Sequence, residues 1–161
     1  MPTSSAGKIS SRGVTLLEML IVVGIISLIA GLTYPALTAG VDSLRLNAAS
    51  RSIVSFFNTG LNRAERRQQA IQVTIDQAGN FLFMRSTDPS FARKLAMPDG
   101  VTIIKVLPEQ QTEEVVPRVF MLYPGGTVPP FGVVLQNRRN QVRLVQLDAI
   151  TGVPQVSEPA T

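Results

Sequence analysis

Hydrophobic and polar positions divide the chain into four stretches. Residues 1–13 are polar and basic, with Lys8 and Arg12 but no acid and no apolar period. From Val14 the pattern changes abruptly. Residues 14–41 are almost wholly apolar, Glu18 is their single charge, and Met19 to Val41 gives 23 residues without one. As a helix, that run spans about 34 Å, enough for a bilayer core of about 30 Å. Residues 42–69 keep a helical period but turn amphipathic. Ala49, Ile53, Phe56, Gly60 and Ala64 recur at spacings of three and four, with Arg45, Arg51, Asn58 and Asn62 on other faces. The spacing predicts one helix from Val14 to about Gln68, whose second half lays an apolar face on a sheet. Gly60 interrupts that face. Arg63, Arg66 and Arg67 suit the helix's C-terminal end, where cations meet the negative pole of its dipole.

In residues 70–161 the period drops to two. Ile71, Val73 and Ile75 alternate with Gln72 and Thr74, Gln77 to Asn80 supplies a turn, and Phe81 to Met84 returns as a strand. Thr87 to Arg93 reads as a loop and Met97 to Gly100 as a turn. Val101 to Leu107 is a strand, Glu109 to Glu114 a polar loop, and Val115 to Tyr123 another strand with Pro117 marking an edge or a start. Gly132 to Gln136 and Val142 to Leu147 form a hairpin across Asn137 to Asn140. Thr151-Gly152 turns the chain to a last short strand near Val153 to Val156. The expected class is α+β, one long helix packed on six or seven antiparallel strands.

Composition narrows the function. Among 161 residues there is no cysteine and no histidine. A disulfide framework, a zinc-thiolate site, a Ser-His-Asp triad and the commonest general base near neutral pH are therefore excluded, and a non-enzymatic protein is expected. No cofactor and no metal site are expected. The carboxylates, from Asp76 to Glu158, lack calcium-loop spacing, and Gly125-Gly126 lacks the lysine and helix of a phosphate loop. The net charge is +4, falling to +2 without residues 1–13. Arg138, Arg139 and Arg143 form the one basic cluster at a hairpin tip. It reads first as a solvated turn, and second as a contact for nucleic-acid phosphates, without aromatic side chains to stack bases.

The apolar run carries the most information. Lys8 and Arg12 would hold its N-terminal side in the cytoplasm and place residues 70–161 outside. A cleaved secretory signal competes, but its apolar core is shorter and Leu37-Thr38-Ala39 is a poor cleavage site. Glu18 is the anomaly, because an ionised carboxylate at the edge of a hydrocarbon span costs a few kcal/mol unless it finds a partner. Gly13 stands just before the run and Glu18 is the fifth residue after it. Cleavage after Gly13 would free the amine of Val14 one helical turn from Glu18. Between neighbouring helices offset by a turn, amine and carboxylate would neutralise each other and set a register for lateral assembly. Gly24, Gly31 and Pro35 lower helix propensity in the span, either as ordinary membrane-helix residues or as a segment that melts on leaving the bilayer.

Arg12-Gly13-Val14-Thr15-Leu16-Leu17-Glu18 with the apolar helix after it resembles the N-terminal signature of type IV prepilins and type II secretion prepilins. The resemblance implies cleavage after Gly13 by a prepilin peptidase of the inner membrane and N-methylation of Val14. It also implies an assembly role for Glu18 and a helix break at Pro35. Val14 departs from the family's usual phenylalanine. Further along, Leu61 to Thr74, Tyr123-Pro124-Gly125-Gly126 before Val133-Val134-Leu135, and Leu147-Asp148 through Thr151-Gly152-Val153 resemble the pseudopilin H and FimT-like branch.

What this implies is a pilin-like minor pseudopilin of the type II secretion pseudopilus. It would lie in the inner membrane with a periplasmic C-terminal domain and then enter a periplasmic filament. Its partners would be the prepilin peptidase, other pseudopilins or pilins, an inner-membrane assembly platform, and membrane lipid before assembly. The alternatives are a FimT-like minor pilin of a type IV pilus or DNA-uptake system, with DNA as a partner, and an anchored binding module that never polymerises.

Overall fold

The computed structural model describes residues 14–88, 90–109, 116–126, 129–148 and 150–158, with the side chains at 32 and 34–39 outside the description. The stretch 1–13, with Gly13, and most of the polar loop up to Glu114 therefore lie outside the described residues. The chain divides into two compact units, residues 1–38 and 39–161.

One helix, α1 (Leu16–Arg67), precedes eight strands among the described residues: β1 (Ile71–Asp76), β2 (Phe81–Ser86), β3 (Ala92–Ala96), β4 (Val101–Leu107), β5 (Arg118–Leu122), β6 (Gly132–Asn137), β7 (Val142–Leu147) and β8 (Pro154–Ser157). They form two four-stranded antiparallel sheets, ordered β3-β2-β1-β5 and β4-β6-β7-β8. Helix first, antiparallel sheets afterwards: the class is α+β.

The helix starts two residues later than its period suggests. Thr15 stands at the N-cap, its Oγ1 accepting the N–H of Glu18 at 3.2 Å, so Thr15-Leu16-Leu17-Glu18 has the spacing of a capping box. At the other end Gln68 turns left-handed (φ 51°) and the N–H of Gln69 reaches back to the Ala64 carbonyl at 3.2 Å. That six-to-one bond closes the helix in the manner usually given to glycine.

Within residues 39–161, all five positions of the expected apolar face, Ala49, Ile53, Phe56, Gly60 and Ala64, are buried. Gly60 is there for close approach. A Cβ at that position would lie 3.1 Å from Leu122 Cδ1 and 3.5 Å from Met84 Cε, so α1 meets the first sheet through a side chain's absence. The second sheet joins through aromatic rings. Phe131, just before β6, packs edge-on to Phe57 of α1 at 5.2 Å and stacks on Phe120 of β5 at 4.3 Å. Polar side chains fasten the same seam. From the β1–β2 turn, Asn80 donates to the Val101 carbonyl at 2.8 Å and accepts from the Ile103 N–H at 2.9 Å, and Gln77 donates to the Ile104 carbonyl at 2.7 Å. Arg118 donates to the carbonyls of Val106 (2.9 Å) and Pro108.

Three boundaries differ from the sequence pattern. β3 begins within the expected Thr87–Arg93 loop. Its sequence, Ala-Arg-Lys-Leu-Ala, has no alternation to announce a strand, because at the sheet edge only Leu95 is drawn towards the core. β5 is shorter than Val115 to Tyr123 and starts directly after Pro117, and β8 starts at Pro154 on the opposite edge, where proline's missing N–H costs no ladder bond. α1 is continuous across Pro35, as the single helical period predicts.

The Gly60 contact yields a test. Gly60→Leu is expected to lower thermal stability by roughly 1–3 kcal/mol through overpacking. Gly60→Ala should change it far less, since a helix-propensity gain of about 1 kcal/mol opposes the close Leu122 contact. Circular dichroism melting of the full chain in detergent measures both. Equal losses would contradict the packing role.

Candidate functional site

The helix start is unlike any other part of the described molecule. Every described side chain from Val14 to Gly31 is exposed, and twelve of them are large hydrophobics, among them Leu16 at 83% and Val23 at 60%. They surround the helix rather than forming one stripe. Gly24 and Gly31 have nothing within 4 Å of a built Cβ, so no contact among the described residues explains either glycine. Thr33 hides its hydroxyl by donating to the Ile29 carbonyl at 2.8 Å, a bond that removes its polarity from the surface. Soluble monomers do not leave so much contiguous apolar surface to water. This surface needs lipid or other helices.

Glu18 is the only charge in that surface, and its carboxylate has no partner among the described residues. Val14 lies two residues before the helix and is exposed at 62%. With Thr15 as the cap, a free amine at Val14 would stand just outside the first turn, beside the positive pole of the dipole that also favours Glu18. Among the described residues no helix is long and apolar enough to cross a membrane.

The arginine cluster is dispersed. Arg139 approaches Asp42 of α1 at 3.9 Å, and Arg143 donates to Glu158 at 2.6 Å. Arg138 packs over the Gly100 turn, where a built Cβ would lie 3.0 Å from its Nε. The hairpin tip itself is organised by buried Asn137, whose Oδ1 accepts the N–H groups of Arg139 and Gln141, each at 3.0 Å. Two of the three guanidiniums thus face carboxylates. Sequence spacing carried no sign of this, since Asp42 and Arg139 are far apart in the chain.

The three later stretches that resemble the pseudopilin H and FimT-like branch each make local contacts. The Glu65 carboxylate accepts the N–H of Gly125 at 2.7 Å, joining the last turns of α1 to the Tyr123–Gly126 turn, where Gly125 has φ 60°. Asp148 organises the β7–β8 turn, its Oδ1 accepting the N–H groups of Ile150 (2.9 Å) and Thr151 (2.7 Å) and the Thr151 hydroxyl (3.0 Å). No group of three or more potential metal-binding side chains occurs among the described residues.

Comparison with known proteins bears on the helix start alone. Residues 9–34 match the model of the prokaryotic N-terminal methylation motif. This stretch is similar to a prepilin-type N-terminus. The match spans Gly13, Val14 and Glu18, and it implies a pilin-like protein processed by a prepilin peptidase and assembled with other pilins. No curated protein and no solved structure matches the chain significantly.

The turn carboxylates predict a pH dependence. Bonds from the Thr151 and Ile150 N–H groups hold the Asp148 carboxyl below its ordinary value, and bonds from Ser90, with the Arg63 and Arg67 charges, do the same for Asp88. A lowered folded-state pKa stabilises only while the carboxylate is ionised. The contribution is therefore present above about pH 4 and is lost as pH falls through the depressed value. Melting temperature should drop between pH 5 and pH 2.5, and less steeply in Asp148→Ala. An unchanged slope in that variant would contradict the role given to Asp148.

Proposed function

We propose that this chain is a pilin-like minor pseudopilin that is cleaved after Gly13, N-methylated at Val14 and assembled through α1 into the type II secretion pseudopilus. The observation that carries the proposal is one carboxylate, Glu18, inside an exposed apolar helix start that matches the methylation motif. Residues 14–41 would anchor the precursor in the inner membrane, N-terminus inside, until an assembly platform transfers it to the periplasmic filament. The protein would act by assembly and not by catalysis, in keeping with its lack of histidine and cysteine.

Energetics explain why such a helix moves from lipid to filament. In lipid, the Glu18 carboxylate and the Val14 amine each cost a few kcal/mol. In a bundle offset by one turn, the amine of one helix meets the carboxylate of the next, both are neutralised, and the apolar sides remain covered. The pair also fixes axial register, the best attested use of a lone polar contact in an apolar interface. A FimT-like subunit of a DNA-uptake system would share this chemistry, but Arg139 and Arg143 of the hairpin tip face Asp42 and Glu158.

Because the chain has no cysteine, a single one introduced at Leu16 or Leu20 reports on neighbours without background. Glu18→Ala should be cleaved as efficiently as the parent while disulfide crosslinking to other pilins falls at least tenfold, about 1.4 kcal/mol of lost association. Unchanged crosslinking would remove the pairing role. A loss of cleavage would place Glu18 in peptidase recognition instead.

A further inference from the structure

A second surface lies within residues 39–161, where α1 meets the first sheet. β3 is the outermost strand of its sheet and pairs only with β2. The bonds from Met97 N–H to the Asn80 carbonyl (3.1 Å) and from Ser86 N–H to the Phe91 carbonyl (3.3 Å) fix the phase of that ladder. By the alternation of antiparallel pairs, the N–H and C=O groups of Arg93 and Leu95 face β2, while those of Ala92, Lys94 and Ala96 face outward. No described residue pairs with that outward edge.

A groove runs between this edge and α1. One part, of about 330 Å³, is lined by Ser52, Ser55 and Thr59 of the helix and by Arg93, Lys94 and Leu95 of the strand. It shares Thr59 and Arg93 with a second part, of about 460 Å³, lined by Asn62, Arg63, Arg66, Arg67 and Phe91. Four guanidiniums therefore line one continuous groove. Asp88 is bonded to Arg63 at 3.2 Å, and with Lys94 counted the groove keeps an excess of four positive charges among the described residues. Arg63 also stacks on Phe91 at 4.1 Å and keeps its Nε buried without a hydrogen-bond partner. Arg66, Arg67 and Arg93 have no hydrogen-bond or ion-pair partner among the described residues.

We infer that this groove receives an extended, acidic segment of a partner protein, which adds as a strand to the outward edge of β3 beneath α1. An open edge offers main-chain donors and acceptors at strand spacing, and flanking pockets select the side chains. The positive charge decides the occupant. Arg93 and Lys94 on the edge repel another such edge and so discourage pairing between copies of this chain. Acidic side chains at alternate positions would instead meet Arg93 and the arginines of the helix, with the bidentate geometry that guanidinium offers carboxylates. Phe56 and Phe91, which also line the groove, are both buried, so it exposes no ring for stacking bases, and an acidic polypeptide fits it better than single-stranded nucleic acid.

The test uses the full chain in detergent and a labelled eight-residue peptide of alternating glutamate and valine, with a lysine–valine peptide and a 20-base-pair DNA duplex as comparison probes. The acidic peptide should bind in fluorescence anisotropy, and the double variant Arg67→Glu, Arg93→Glu should weaken it at least tenfold. Arg138→Glu, outside the groove, should leave binding within twofold. Hydrogen exchange should show the N–H groups of Lys94 and Ala96 becoming protected on binding, with that of Leu95 unchanged. Binding without that protection would overturn strand addition, as would equal binding of the lysine peptide. Tighter binding of the duplex at the same arginines would reassign the groove to nucleic acid. None of these outcomes depends on cleavage at Gly13 or on Glu18.

Discussion

Water cannot be the final environment of the helix start. Twelve large apolar side chains between Val14 and Ile29 are exposed, none less than 44%. Covering them is worth on the order of 20 kcal/mol at about 1.5–3 kcal/mol for each side chain fully buried. That exceeds several-fold the few kcal/mol that Glu18 costs in an apolar setting. The apolar surface therefore favours burial of the helix start, and in the proposed function Glu18 selects among the ways of burying it. Lipid satisfies the first requirement alone. A bundle of similar helices, each with an amine near Val14, satisfies both.

Residues 39–161 meet a different constraint. Two four-stranded sheets offer modest cores of their own, and the amphipathic part of α1 supplies much of what they bury: Leu46, Ile53, Phe57 and Ala64 are all in the shared core. The sheets are joined less by a common face than by a seam. Phe131 between Phe57 and Phe120, Asn80 and Gln77 on β4, and Arg118 on the carbonyls beyond it all cross that seam. Such a construction leaves edges open on both sheets. Arg93 and Lys94 protect one of them by charge, and the same charge gives that edge a preference among partners.

The parts of this structure legible in the sequence are those governed by periodicity. The buried face of α1 follows a spacing of three and four, and β4 and β7 coincide with their alternating runs because both strands have one face on the core. Periodicity fails where burial is slight. β3 has one side chain directed inward, so its sequence resembles a loop, and only its pairing with β2 makes it a strand. Gly60 looked like a flaw in the helix face until Leu122 and Met84 showed what it admits. The arginines divide in the same way. Arg63, Arg66 and Arg67 have a local rationale at a helix end, but the groove they form with Arg93 requires β3 in place. Arg138, Arg139 and Arg143 looked like a cluster because the chain brings them close, and the fold turns two of them to carboxylates. The match to the methylation motif needed no fold at all. Its meaning lies in spacing along a single helix.

The central claim is that an apolar helix beginning beside Gly13 is released by cleavage and then paired through its new amine. Mass spectrometry of the protein recovered from cells with an active prepilin peptidase measures this most directly. The account predicts an N-terminal peptide starting at Val14 and heavier by one methyl group. An N-terminus at any other residue, or an intact Gly13–Val14 bond in the assembled protein, would contradict it.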